Sequence, residues 1–159
     1  MKISRNFLSL RRVTKDDVNL LFRWANDPVV RKWSFNQHPI TLEEHKFWFN
    51  EKYNDPNTLM LILEKSTRPS GVVRFERSTT RVLLNYLISP EFRGKKLAGE
   101  MLSMSIDKLE KFWPGVDIIA YSLPDNIASI KSLKKVGFCL FAVDSRQHSY
   151  VLRRNDLTR

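Results

Sequence analysis

Residues Leu83 to Gly99, LLNYLISPEFRGKKLAG, leave this chain few ways to fold. An apolar run from Leu83 to Ile88 stops at Ser89-Pro90, and a basic turn follows, Arg93-Gly94-Lys95-Lys96. From Leu97 a helical period begins, with Ala98, Met101, Leu102, Ser105, Ile106, Leu109 and Phe112 on one face. The pattern is that of a buried strand, a tight turn and a helix N-terminus. The first turn of a helix has free N–H groups and the positive end of the macrodipole, so it suits a phosphate. Arginine and lysine add charge beside it, and Gly94 lets the backbone come close to a ligand.

The rest of the chain supplies a sheet for that unit to sit in. Leu8 to Val13 reads as a strand, and Thr14 caps a helix that ends at Asn26-Asp27-Pro28. A turn through Val29, Val30 and Trp33 leads to an irregular segment, Ser34 to Ile40. The capping box Thr41-Leu42-Glu43-Glu44 opens the next helix, which fades at Asn54-Asp55-Pro56-Asn57. Three strands follow as an antiparallel meander, Thr58 to Glu64, Val72 to Arg77 and Val82 to Ser89, with turns at Pro69-Ser70-Gly71 and Ser78-Thr79-Thr80. After the helix from about Lys96 to Trp113 comes a fifth strand, Val116 to Tyr121, and a second strand–turn–helix unit starting near Asp125-Asn126. Gly137 is its left-handed cap, and Phe138 to Val143 with Ser149 to Leu152 close the chain as paired strands. The sum is a single α+β domain over residues 1–159: a mostly antiparallel sheet of about seven strands with about four helices packed on it.

Composition narrows the function classes. No apolar run reaches the length of a membrane span, and Met1 to Arg12 lacks the uninterrupted apolar core of a leader. The single cysteine, Cys139, excludes an internal disulfide and fits a reducing, cytoplasmic setting; its apolar neighbours suggest a buried thiol. A net charge of +10 favours an anionic partner, either nucleic acid or a multiply phosphorylated small molecule. Because the basic residues are dispersed, nucleic acid is the weaker reading. Three scattered histidines and one cysteine offer no metal-ligand spacing.

Two motifs resemble the GNAT acyl-CoA N-acetyltransferases. Arg93-Gly94-Lys95-Lys96-Leu97-Ala98 is similar to that family's pyrophosphate turn, and Asn126-Ile127-Ala128-Ser129-Ile130, closing on Gly137-Phe138, resembles its second CoA motif. The resemblance implies acetyl-CoA as cosubstrate, a sheet splayed at the CoA cleft, and cofactor contacts at Leu87, Ile88, Arg93, Gly94, Lys95, Lys96, Leu97, Ala98, Asn126 and Ser129. Trp24-Ala25-Asn26-Asp27-Pro28 and Glu43-Glu44-His45-x-x-Trp48-Phe49 are similar to the branch acting on nucleotide-linked amino sugars, in surface-polysaccharide and pseudaminic acid pathways. That likeness implies acceptor contacts at Trp33, Phe35, His45 and Trp48. Leu10-Arg11-Arg12 and the Asn-Asp-Pro turn are shared with acetyltransferases of ribosomal-protein N-termini, the alternative reading. A non-catalytic basic module binding CoA or nucleic acid is a third, and a homodimer is compatible with all of them.

Two positions depart from the family pattern. Lys96 stands where a second glycine is usual, and Leu133 stands where many relatives place the tyrosine that protonates the leaving thiolate. Transfer in a ternary complex needs a general base, an oxyanion donor and a proton for the thiolate. The sequence offers Glu76, Asp125 and His45 as bases. For the proton it offers Ser129, Tyr121 and Tyr86, and for the oxyanion the backbone of Leu87 or Ile88.

Overall fold

Apolar runs build a seven-stranded sheet in the order β1-β2-β3-β4-β5-β7-β6, with alternating burial clearest along the third and fourth strands. The computed structural model describes residues 7–154, so the first part of the Met1 to Arg12 leader reading lies outside the described residues. The strands are β1 (Leu8–Arg12), β2 (Thr58–Lys65), β3 (Arg68–Arg77), β4 (Arg81–Ile88), β5 (Asp117–Ser122), β6 (Cys139–Val143) and β7 (His148–Leu152). All neighbours are antiparallel except β4 and β5. Five α-helices lie among the described residues: α1 (Val18–Ala25), α2 (Pro28–Lys32), α3 (Leu42–Asn54), α4 (Leu97–Phe112) and α5 (Ile127–Lys135). None of them is long and apolar enough to cross a membrane.

Alternation along the strands separates two cores. Val73, Phe75, Val82 and Leu84 face α4 and α5, where Met101, Leu102, Leu109 and Leu133 are buried. Met60, Ile62, Val72 and Leu87 face the other way, toward Leu21 and Trp24 of α1 and Phe49 of α3. Gly71 allows α4 to lie close to β3. A methyl group there would meet Leu87 O at 2.8 Å and Met101 Sδ at 2.9 Å.

Several elements differ from the expectation. Thr14 begins a 3-10 turn, Lys15–Asp17, that feeds α1. The segment read as a turn after Asn26 is α2. Asp27 caps it by accepting from the N–H groups of Val29 (3.1 Å) and Val30 (3.4 Å), and Pro28 fills the first helical position. Pro69, Ser70 and Gly71 lie inside β3, and the hairpin turns at Ser66-Thr67, both with positive φ (50° and 70°). Cys139 is exposed, because all five residues of β6 are exposed at the edge of the sheet.

Candidate active site

The sheet opens where two parallel neighbours part. Pairing of β4 with β5 covers Arg81 to Leu84 against Asp117 to Ala120. Beyond it β4 runs on along β3 to Ile88, while β5 runs on along β7 to Ser122. The N–H of Ser89 donates to Ser70 O at 2.9 Å. In a regular antiparallel ladder the sides alternate, so the Leu87 N–H belongs to the β3 ladder and the Ile88 N–H points into the gap. The gap forms a cleft of about 630 Å³. It is lined by β4 from Leu84 to Ile88, by Tyr121 and Ser122 of β5, by the turn before α4, by α2 and the loop after it, and by the start of α5.

At one end of the cleft the first turn of α4 offers its backbone donors. Lys96 precedes the helix in the left-handed conformation (φ 59°, ψ 29°), and no side chain caps the turn. This conformation, rather than a helical one, accounts for glycine being the expected residue here. Gly94 also has positive φ (73°), and no atom lies within 4 Å of where a Cβ would stand. Lys96, Leu97, Ala98, Gly94 and Arg93 all line the cleft, a donor set that fits a pyrophosphate. Lys95 does not line it and lies over the Phe92 ring at 5.1 Å.

Arg93 is tied across the cleft mouth, its Nη2 donating to Asp27 Oδ1 at 2.6 Å. Burial pushes the Asp27 carboxyl up, but Arg93 and the Val29 and Val30 amides outweigh it, leaving the carboxyl below its ordinary value. The capping residue of α2 therefore also holds the turn before α4.

Tyr86 crosses the gap to α5. Its hydroxyl lies 2.9 Å from Ser129 Oγ and donates to Ser129 O at 3.4 Å. Burial, partly offset by the Ser129 and Ser132 hydroxyls, raises the phenol above its ordinary value, so it stays protonated. Asn126 caps α5 by accepting from the Ser129 N–H at 3.3 Å, which leaves its amide NH2 free to donate into the cleft it lines. Leu133, at the usual tyrosine position, is fully buried in the core.

The acceptor-side candidates divide. Trp33 and Phe35 line the cleft on the loop after α2, and Phe35 is 57% exposed. Arg31 pins that loop by donating to Ala25 O (2.7 Å), Asn36 O (2.8 Å), His38 O (3.3 Å) and Ser34 Oγ (3.1 Å). Tyr121 lines the cleft; Glu76, His45 and Trp48 do not. The Glu76 carboxylate pairs with Lys52 on α3. His45 is 3% exposed among Phe22, Trp48 and Phe49, with Nε2–H donating to Val18 O at 3.0 Å. Burial lowers its pKa, keeping the ring neutral. None of the described residues lining the cleft is acidic. Asn85, overlooked in the sequence, lines it from the middle of β4, and its signal is one polar residue inside an apolar run. A second cavity of about 670 Å³, around Arg77 to Thr80 and Gly115 to Asp117, lies at the other end of these strands and contains neither the strand gap nor a helix N-terminus.

Known proteins share this architecture. Residues 8–139 match the model of the acetyltransferase (GNAT) domain. The chain is 28% identical over 139 residues to an uncharacterised Methanocaldococcus jannaschii protein, covering 81% of this chain but only 27% of that protein's length. It is 24% identical over 153 residues to the acetyltransferase PseH of Campylobacter jejuni, covering 95% of this chain and 93% of the relative. Among solved structures, spermidine N-acetyltransferase from Vibrio cholerae, in complex with CoA and spermine, superposes with a TM-score of 0.79 at 16% identity, covering 92% of this chain and 95% of that one. The aminoglycoside acetyltransferase AAC(6')-Ib in complex with coenzyme A gives 0.76 at 16% identity, covering 93% and 95%. The splayed strands, the open helix N-terminus and the family match converge: the chain belongs to the GNAT acetyltransferase family and is an acyltransferase with acetyl-CoA as its cosubstrate.

Proposed function

We propose that the enzyme transfers the acetyl group of acetyl-CoA to a primary amine on a nucleotide-linked amino sugar, by direct attack in a ternary complex. One observation carries the acceptor class: the cleft contains Arg93 and Lys96 but no described acidic residue, and two aromatic rings, Trp33 and Phe35, stand at its acceptor side. A polyamine or an aminoglycoside is a polycation that carboxylates would hold, and the described residues lining the cleft supply none. A nucleotide sugar brings negative phosphates and a base that stacks on aromatic rings. The near full-length match to PseH and the Trp24 to Trp48 motifs support the same reading.

The geometry supports the following roles. The first turn of α4, with Arg93 and Lys96, would hold the pyrophosphate, while Asn126 and the free edges of β4 and β5 would take the extended arm with its amides. The amine nitrogen attacks the thioester carbon, and the oxyanion that forms accepts from the Ile88 N–H. With no carboxylate in the cleft, the amine's proton leaves to water held by Asn85 and Tyr121. When the C–S bond breaks, the Tyr86 phenol protonates the thiolate and regains its proton through Ser129. Glu76 and His45, candidate bases from sequence, take structural roles in this account, and Trp48 acts from the adjoining surface.

Free thiol release from acetyl-CoA, measured against UDP- and dTDP-linked amino sugars, spermidine and short peptides, tests the assignment. Turnover confined to the nucleotide-linked sugars is the expected outcome. Turnover with spermidine or peptides and none with any nucleotide sugar overturns it.

A further inference from the structure

Arg74 carries a buried donor that its ring and carboxylate neighbours leave without a hydrogen bond. It lies in the middle of β3, with Met60 of β2 and Asn85 of β4 as its cross-strand partners. Its guanidinium sits 5.0 Å from the centre of the Trp48 ring. Its side chain is 25% exposed, and among the described residues it makes no hydrogen bond; Nε is buried without a hydrogen-bond partner. The nearest carboxylate, Glu76, stands 3.5 Å from Nε, beyond a good hydrogen bond, and is already engaged by Lys52. Burial pushes the guanidinium pKa down, with Glu76 only partly restoring it. A guanidinium carries five donors in a fixed fork, and here the buried Nε lacks a hydrogen-bond acceptor, which is costly. A stacked, oriented fork is the arrangement that receives a planar or tetrahedral oxyanion.

Its place along the sheet says which molecule brings that anion. Directly paired residues project to the same face, so Arg74 and Asn85 share the α3 side of the sheet with Leu87. Asn85 lines the cleft, whose lining does not include Arg74 or Trp48, so the anchor would lie beside it; the proposed oxyanion donor, Ile88, is three residues on from Asn85, roughly 10 Å along the strand. The first turn of α4, which would hold the cofactor's pyrophosphate, belongs to the opposite face. We propose that Arg74, stacked on Trp48, is an anchor for a phosphoryl group of the acceptor, distinct from the site of the cofactor's phosphates. This rests on the nucleotide-linked acceptor proposed above, and the spacing suits a sugar whose reacting amine and glycosyl phosphate lie at opposite ends of the ring.

The test is calorimetric titration of uridine diphosphate and of inorganic pyrophosphate into protein saturated with CoA, so that the cofactor's own phosphate site is filled. Wild type is expected to bind both, and Arg74→Gln to bind each at least tenfold more weakly. Arg74→Lys, which retains the charge without the fork, should fall between them and serves should the glutamine variant fail to fold. CoA affinity should be unchanged in both variants. Absence of diphosphate binding to the CoA-loaded wild type overturns the anchor, as does equal binding by wild type and both variants. Kinetics separate this from the acceptor assignment. If wild type and Arg74→Gln acetylate a nucleotide-linked amino sugar with the same KM, the anchor falls while the activity stands. If diphosphate binds through Arg74 but no such sugar is acetylated, the anchor stands and the acceptor assignment falls.

Discussion

Lys96 holds a backbone conformation (φ 59°) that costs an L-residue roughly 1 kcal/mol and glycine almost nothing. Lys96→Gly should therefore stabilise the fold by up to about 1 kcal/mol, less what glycine gains in the unfolded chain. The same substitution should raise the KM for acetyl-CoA severalfold, because it removes an ammonium that lines the cleft and would face the pyrophosphate. Thermal melts and steady-state kinetics read the two effects separately, and an unchanged KM would remove Lys96 from the cofactor site. Tyr86→Phe keeps the ring and deletes the proton: kcat should fall by about 10²-fold or more, with acetyl-CoA affinity and melting temperature close to wild type. A variant with wild-type kcat would dismiss Tyr86 as the acid. His45 makes a stability prediction. Burial lowers its pKa below 6.5, so the unfolded chain binds more protons than the fold as pH drops through that window. Stability contributed by the neutral ring is complete above pH 6.5 and is lost below it. Asp27 and Asp17, also lowered, lose their contributions only below 3.8. His45→Gln, able to donate to Val18 O, should flatten the denaturation midpoint against pH just below 6.5, and a slope as steep as wild type would contradict the assignment.

Elements show what local sequence can and cannot disclose. Both strand–turn–helix units were legible, because breakers, caps and helical period coincide at Ser89 to Leu97 and at Asn126 to Gly137. The capping box at Thr41 is likewise present, Glu44 N–H donating to Thr41 Oγ1 at 3.2 Å and Thr41 N–H to Glu44 Oε2 at 2.9 Å. Helix α2 is hard to read locally although Asp27-Pro28 carries the start signal, since the same two residues also read as the stop after α1. The hairpin at Ser66-Thr67 was misplaced because it lacks glycine, proline and asparagine, while Pro69 and Gly71 stand a few residues on. Cys139 looked buried because edge position is a property of strand order, not of neighbours in sequence. The Tyr86–Ser129 and Asp27–Arg93 contacts span 43 and 66 residues, so no local pattern announces them. The packing of α4 on β3 yields its own prediction. Gly71→Ala would press a methyl group against Leu87 O and Met101 Sδ, beside the proposed oxyanion donor. A loss of about 1–3 kcal/mol in denaturant unfolding is expected; no loss would mean that α4 shifts freely.

At the scale of the whole molecule, the sheet gives each substrate a face. Helices α4 and α5 pack on one face and α1 and α3 on the other, so the proposed roles put the cofactor on the first and the acceptor on the second, meeting where β4 and β5 part. The charge of +10 suits a protein whose cosubstrate is a polyphosphate, and the proposed nucleotide-linked acceptor would be a second. Direct attack across the gap requires both to be bound at once. Initial rates with acetyl-CoA and a nucleotide-linked amino sugar, each varied at several fixed levels of the other, test that requirement. The account expects double-reciprocal lines that intersect, with one thiol released for each sugar acetylated. Parallel lines, signalling an acetylated enzyme, or acetyl transfer to spermidine alone, would contradict it.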